Sequence, residues 1–154
     1  LMDTAAQSLE MGAKMSDRVV EAIKDDGVQV LVDYVYQPNT SVEVRNGIDR
    51  LGETEHLRRI RTKLMQMDPQ AFFGLRDELG AQQGVLTELS QVIVPTTIIV
   101  GSADTPFREP SEKMAAKIAG SNLIVVPDAA HSPQYENRDA WYEALQKHFE
   151  SLES

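Results

Sequence analysis

Two short apolar runs in the second half of the chain constrain its fold most. Residues 93–100 (Ile-Val-Pro-Thr-Thr-Ile-Ile-Val) end at Gly101, and residues 123–126 (Leu-Ile-Val-Val) form the second run. Neither alternates polar with apolar residues. Each therefore predicts a strand buried on both faces, as in a parallel sheet covered by helices. Between them, residues 110–118 predict a helix with Met114, Ala115 and Ile118 inward and Gly120 as its stop. After the second run, Asn137 predicts the cap of a final helix carrying Trp141, Leu145 and Phe149. The fold class is α/β: one strand–helix–strand crossover and a closing helix. Two parallel strands alone leave unpaired edges, so the expected partner is a missing N-terminal half or another copy of the chain, and oligomers are expected.

The chain has 154 residues, room for a single hydrophobic core, and carries 15 basic against 24 acidic side chains, a net charge of −9. That balance argues against nucleic acid, which needs clustered Lys and Arg. No stretch approaches the eighteen or so apolar residues of a membrane span, and no secretory leader opens the sequence. The absence of cysteine fits a reducing compartment, so a cytoplasmic location is expected. The sequence starts at Leu1 rather than Met, which suggests a processed or cut chain.

Residues 1–92 read as helical and amphipathic, and residues 93–154 as strand, helix, strand, helix. Ser16 is a candidate cap for a helix bearing Val19, Val20 and Ile23, stopped by Gly27. Residues 28–36 are β-branched and aromatic, so propensity alone predicts a strand. A loop follows at residues 37–40. Thr54 is placed to cap a helix with Leu57, Ile60 and Leu64 on one face. Asp68-Pro69 is a helix start, followed by Phe72, Phe73, Leu75 and Leu79, with Gly80 as its stop. A short helix around Leu86 and Leu89 leads to Val92.

Two polar residues fall just beyond the ends of the apolar runs, where sites form in open parallel sheets. Asp104 lies in Gly101-Ser102-Ala103-Asp104, and His131 in Pro127-Asp128-Ala129-Ala130-His131. A carboxylate accepting the Nδ1 proton of an imidazole fixes its tautomer and leaves Nε2 to deprotonate a nucleophile. Each has an ordinary alternative: an Asp after a glycine is usually a turn residue, and a loop His a hydrogen-bonded surface group. Asp128 is expected to shape the turn, and Asp3 is a further carboxylate near a possible strand end. His56 and His148 read as solvated helix residues. No metal-ligand spacing such as H-x-x-E-H occurs, and no metal or cofactor is expected.

The segments VPTTIIVGSADTPF and EPSEKMAAKIAGSNLIVVPDAAHSPQYENRDAW resemble the C-terminal end of an α/β-hydrolase. In that family the acid follows a strand ending in a G-x-x-D turn, and the histidine lies in the loop after the last strand. Asp104 and His131 fall on those positions, with Ala129-Ala130 where relatives often have glycines. Residues 1–92 resemble, more weakly, the helical cap that many relatives carry, and residues 1–4 look like the exit from the strand before it. On this resemblance residues 28–36 become a cap helix, against their propensity.

The resemblance implies a partial α/β-hydrolase fold: a helical cap, then the last two parallel strands with flanking helices. It implies the acid and histidine of a triad acting on a small-molecule substrate with an ester, amide or carbon–carbon bond. Phe72, Phe73 and Phe107 are candidate substrate-binding residues. The family's G-x-S-x-G nucleophile elbow occurs nowhere in this sequence. The chain alone is therefore expected to be inactive, with the nucleophile upstream of it. The alternative is a non-catalytic binding or self-association module.

Overall fold

The computed structural model describes residues 1–2, 4–6, 17–27, 29–35, 42–81 and 83–153. The chain divides into two compact units: Leu9–Gln82, and Leu1–Ser8 together with Gln83–Ser154.

In the first unit the described elements are helices: α1 (Asp17–Asp26), α2 (Gln29–Val35), α3 (Val42–Leu51), α4 (Glu53–Met65) and α5 (Pro69–Ala81). Ile23 of α1, Val32 of α2 and Val44 of α3 are its buried apolar side chains among the described residues. Gly27 ends α1 with φ of 77°, a left-handed conformation that glycine adopts without a Cβ penalty. The candidate cap Ser16, and the loop at 37–40, lie outside the described residues. Residues 29–35 are helical, so propensity is overruled. Val32 is 3 % exposed, and burying one helical face outweighs the weak preference of branched residues for strands. α3 lies outside the sequence expectation, because only Val44 and Ile48, one turn apart, mark its apolar face. Thr54 does not cap α4. Gly52 is the N-cap at φ 78°, and Thr54 sits inside the first turn.

α5 starts as its sequence predicts, with the Asp68 carboxylate accepting from the Gln70 backbone N–H at 2.8 Å. It runs through Gly80 to Ala81 rather than stopping at the glycine, and Leu75 is exposed. His56 is not a bare surface group: its ring lies against Gly47 of α3, where a β-carbon would overlap it.

The second unit is α/β. A 3₁₀ turn (Glu88–Gln91) precedes β1 (Thr97–Gly101), then come α6 (Thr105–Lys117), β2 (Asn122–Val126), α7 (Pro133–Glu136) and α8 (Arg138–Leu152). β1 and β2 pair in parallel from Thr97↔Asn122 to Gly101↔Val126. On the other side of β1, Met2 forms a parallel bridge to Ile99, and the Ile99 N–H donates to the Leu1 carbonyl at 2.9 Å. β1 thus runs between two neighbours, and all five of its residues are buried.

The strands correct the expectation in two ways. β1 begins only after Pro95, leaving Ile93 and Val94 exposed. Proline has no N–H for a ladder, so the apolar run extends further than the strand. β2 is not buried on both faces: Asn122 and Val125 are exposed, and Leu123 and Ile124 are half-buried.

Two clusters hold the sheet. Ile98 packs with Ala6, Met114 and Ile118 on one face, and Ile99 with Val126, Ala129 and Ala144 on the other. α6 begins five residues earlier than expected and accommodates Pro110 internally. On α8 the buried residue is Ala144, with Trp141 and Leu145 half-buried against the second cluster and Phe149 exposed. The Trp141 indole N–H donates to Met2 Sδ at 3.1 Å. His148, expected to be solvated, lies 3.0 Å through Nδ1 from the Thr97 hydroxyl.

Candidate active site

Asp104 and His131 meet at the carboxyl ends of the two strands. The path from β1 to α6 is tight: the Asp104 N–H donates to the Gly101 carbonyl at 3.2 Å, and the Phe107 and Arg108 N–H groups donate back to the Asp104 carbonyl. Asp104 is thereby the N-cap residue of α6. An N-cap aspartate ordinarily accepts from the first helical turn. Here the side chain makes no such bond. Its Oδ2 lies instead 3.0 Å from Nδ1 of His131.

A carboxylate can only accept, so the Nδ1 atom carries the proton and donates it. The carboxylate side chain is 3 % exposed and the imidazole 44 %. The acid is thus buried against its partner while the ring opens to solvent. The Phe107 ring, itself buried, lies tilted against the imidazole with centroids 4.6 Å apart. Donor bond and ring contact together fix the imidazole in position and rotation.

The loop carrying His131 is held to the acid loop by its backbone. The Ser102 N–H donates to the Val126 carbonyl and the Ala103 N–H to the Ala129 carbonyl, each at 2.8 Å. Gly101 faces the Ala129 and Ala130 carbonyls so closely that a β-carbon would overlap them. Small residues are required on both sides: Ala129 is fully buried and Ala130 nearly so. Asp128 turns the chain with φ of 53°, the turn role its position suggested.

Sequence reasoning missed Glu136. Its Oε2 accepts from the Ala130 N–H at 2.6 Å, and its Oε1 from the Ser132 N–H at 3.0 Å. The signal was an acid in the first turn after Ser132-Pro133, close to the capping-box arrangement in which an acid reaches back to the cap N–H. Of the candidate aromatic residues on the helical unit, Phe73 is half-buried, with the Lys24 ammonium 5.9 Å from its ring centroid. The side chain of Phe72 lies outside the described residues.

Solved structures similar to this chain include the enol-lactonase from Burkholderia xenovorans LB400. It superposes with a TM-score of 0.70 at 21 % identity, over 97 % of this chain and 54 % of that one. A thermophilic esterase from Thermogutta terrifontis gives 0.70 at 21 %, over 100 % and 56 %. MGS-M2, an alpha/beta hydrolase enzyme from a Medee basin deep-sea metagenome library, gives 0.65 at 15 %, over 96 % and 54 %. The fold is that of the C-terminal portion of an α/β-hydrolase. The chain spans about half the length of the hydrolase-fold structures it matches. No family model and no curated protein matches it.

Among the described residues no group of three or more His, Asp or Glu side chains could hold a metal ion. Among them, too, no helix is long and apolar enough to cross a membrane.

Proposed function

We propose that the chain supplies the acid–base half of a hydrolase, with His131 as proton carrier and Asp104 as its orienter. The nucleophile belongs to a segment that precedes this chain in a longer protein. The observation that carries the reading is the bond from His131 Nδ1 to Asp104 Oδ2, 3.0 Å long, between a buried acid and a ring open to solvent. The N-cap duty that Asp104 leaves unperformed supports it, because a merely structural aspartate there would bind its own helix.

In this reading Nε2 takes the proton of the attacking group as that group bonds to the substrate carbonyl. The imidazolium, stabilised by Asp104, then gives the proton to the leaving group. Water completes the cycle by the same base. The substrate is a small molecule with an ester bond, in keeping with the lactonase and esterase names of the similar structures; amides and carbon–carbon bonds are the neighbouring classes. The helical residues correspond in this reading to the cap region that the resemblance implies, with Phe73 kept as a candidate substrate-binding residue.

The test is hydrolysis of p-nitrophenyl acetate. This chain alone gives no saturable turnover, because covalent catalysis lacks its nucleophile. A G-x-S-x-G elbow in the coding frame upstream of Leu1 would settle the class. In the protein containing both, His131→Ala lowers kcat by at least about a hundredfold with the fold intact. Saturable, His131-dependent turnover by the chain alone, or unchanged kcat in the longer variant, overturns the proposal. The second outcome would remove His131 from the mechanism, whereas no hydrolysis by the longer protein would leave a non-catalytic binding module.

A further inference from the structure

We propose that Glu136 is a positioning residue for His131. The inference rests on the Asp104–His131 reading above and assigns a device that keeps that pair aligned. One carboxylate accepts from the peptide N–H groups on both sides of the histidine: Ala130 through Oε2 at 2.6 Å, and Ser132 through Oε1 at 3.0 Å. Bonds to a charged acceptor are about twice as strong as neutral ones. They lie in the 129–130 and 131–132 peptides and so bracket the soft dihedrals of Ala130 and His131, which decide where the ring points.

Two other bonds anchor the start of the loop. The Ala129 carbonyl is held by the Ala103 N–H, and the Pro127 carbonyl by the Asn137 side chain at 2.9 Å. The Ala103 bond holds the same 129–130 peptide whose N–H Glu136 accepts, and neither bond holds the 131–132 peptide that follows the ring. Glu136 alone of these three groups also takes the Ser132 N–H, and so ties the peptide before Ala130 to the peptide after His131. The required precision is high. The pair is 3.0 Å apart, and a side-chain contact near 3.6 Å is no longer a hydrogen bond. A displacement of about half an ångström therefore unmakes the pair.

The measurement is the ring tautomer of His131, read from the ¹⁵N shifts of the ¹⁵N-histidine-labelled full chain at about pH 8, above the ordinary imidazole range. In the unsubstituted chain the Nδ1–H form dominates, because Asp104 accepts that proton. Glu136→Ala removes both acceptors, and at least half of the population shifts to the Nε2–H form. Glu136→Gln keeps one acceptor oxygen for two N–H groups and falls between. Circular dichroism and the shifts of His148 report whether the fold is kept. Should Glu136→Ala not fold, Glu136→Gln decides.

An Nδ1–H form that dominates equally in the unsubstituted chain and in the folded variants overturns the role of Glu136 and leaves the pair standing. Absence of the Nδ1–H form from the unsubstituted chain overturns the pairing itself, and this inference with it.

Discussion

Gly101, the last residue of β1, faces the carbonyl of Ala130 with no room for a β-carbon between them. That contact joins the strand carrying the acid to the loop carrying the histidine. Gly101→Ala should therefore act at a distance on the candidate site. Overpacking a well-filled interior costs about 1–3 kcal/mol, and here the obstacle is backbone, which cannot rotate away. The expected result is a lower urea midpoint and loss of the His131 Nδ1–H tautomer. A variant with unchanged midpoint and tautomer would show that the two loops are not coupled through this contact.

Asn137 joins the same loop to α8. Its Oδ1 accepts from the Ala140 N–H at 3.4 Å while its Nδ2 donates to the Pro127 carbonyl at 2.9 Å. Asn137→Ala should cost about 0.5–2 kcal/mol, the range for a lost N-cap. Asn137→Asp should recover part of this, since it keeps the acceptor and loses only the donor. Equilibrium urea unfolding checks the order. Equal losses in the two variants would assign the whole effect to Pro127.

Ser111 of α6 is 1 % exposed, and its hydroxyl has no hydrogen-bond partner among the described residues. A buried polar group without a partner keeps its desolvation penalty, about 1–3 kcal/mol. Ser111→Ala should leave stability unchanged or raise it by up to about 1 kcal/mol. A loss larger than that, measured by urea unfolding, would mean that the hydroxyl has a partner in solution.

Two groups of the helical unit should respond to acid. Burial, with a smaller contribution from the Arg50 charge, holds the His56 imidazole below its ordinary range. The unfolded chain therefore takes up this proton first. The stability contributed by neutral His56 is complete above the ordinary value of 6.5 and declines as the pH falls below it toward the folded value. Glu55, hydrogen-bonded by Arg58 and then Arg59, is held down to about 2. Its contribution is present above the ordinary 4.5 and lost between there and about 2. It is small, because the ion pairs are exposed to solvent. Thermal melts from about pH 7 to about pH 5.5 should slope downward, and His56→Gln should flatten that slope. A slope unchanged in the variant would remove His56 as its source.

The two halves of the chain were legible to different degrees. In the α/β unit, apolar runs, a small-residue turn and a capping Asn marked strand, helix, strand and helix in order, because parallel strands and helix ends demand particular residue types. The positions of Asp104 and His131, 27 residues apart, followed from the strand ends. The sequence could not reveal that Val94 and Phe149 are exposed, since hydrophobicity does not say which face finds a partner. In the helical unit, residues 29–35 read as a strand by themselves and fold as a helix.

The sequence by itself determined the order of strands and main helices in the α/β unit, the location of an acid and a loop histidine at neighbouring strand ends, and the absence of a nucleophile elbow. These are local properties of residue type and spacing. Only the tertiary structure decided that Asp104 turns from its own helix to His131, that Gly101 must lack a β-carbon, and that Glu136 ties together the N–H groups of the residues flanking the histidine. Each depends on distances between separate loops or turns, which packing sets and residue spacing does not encode.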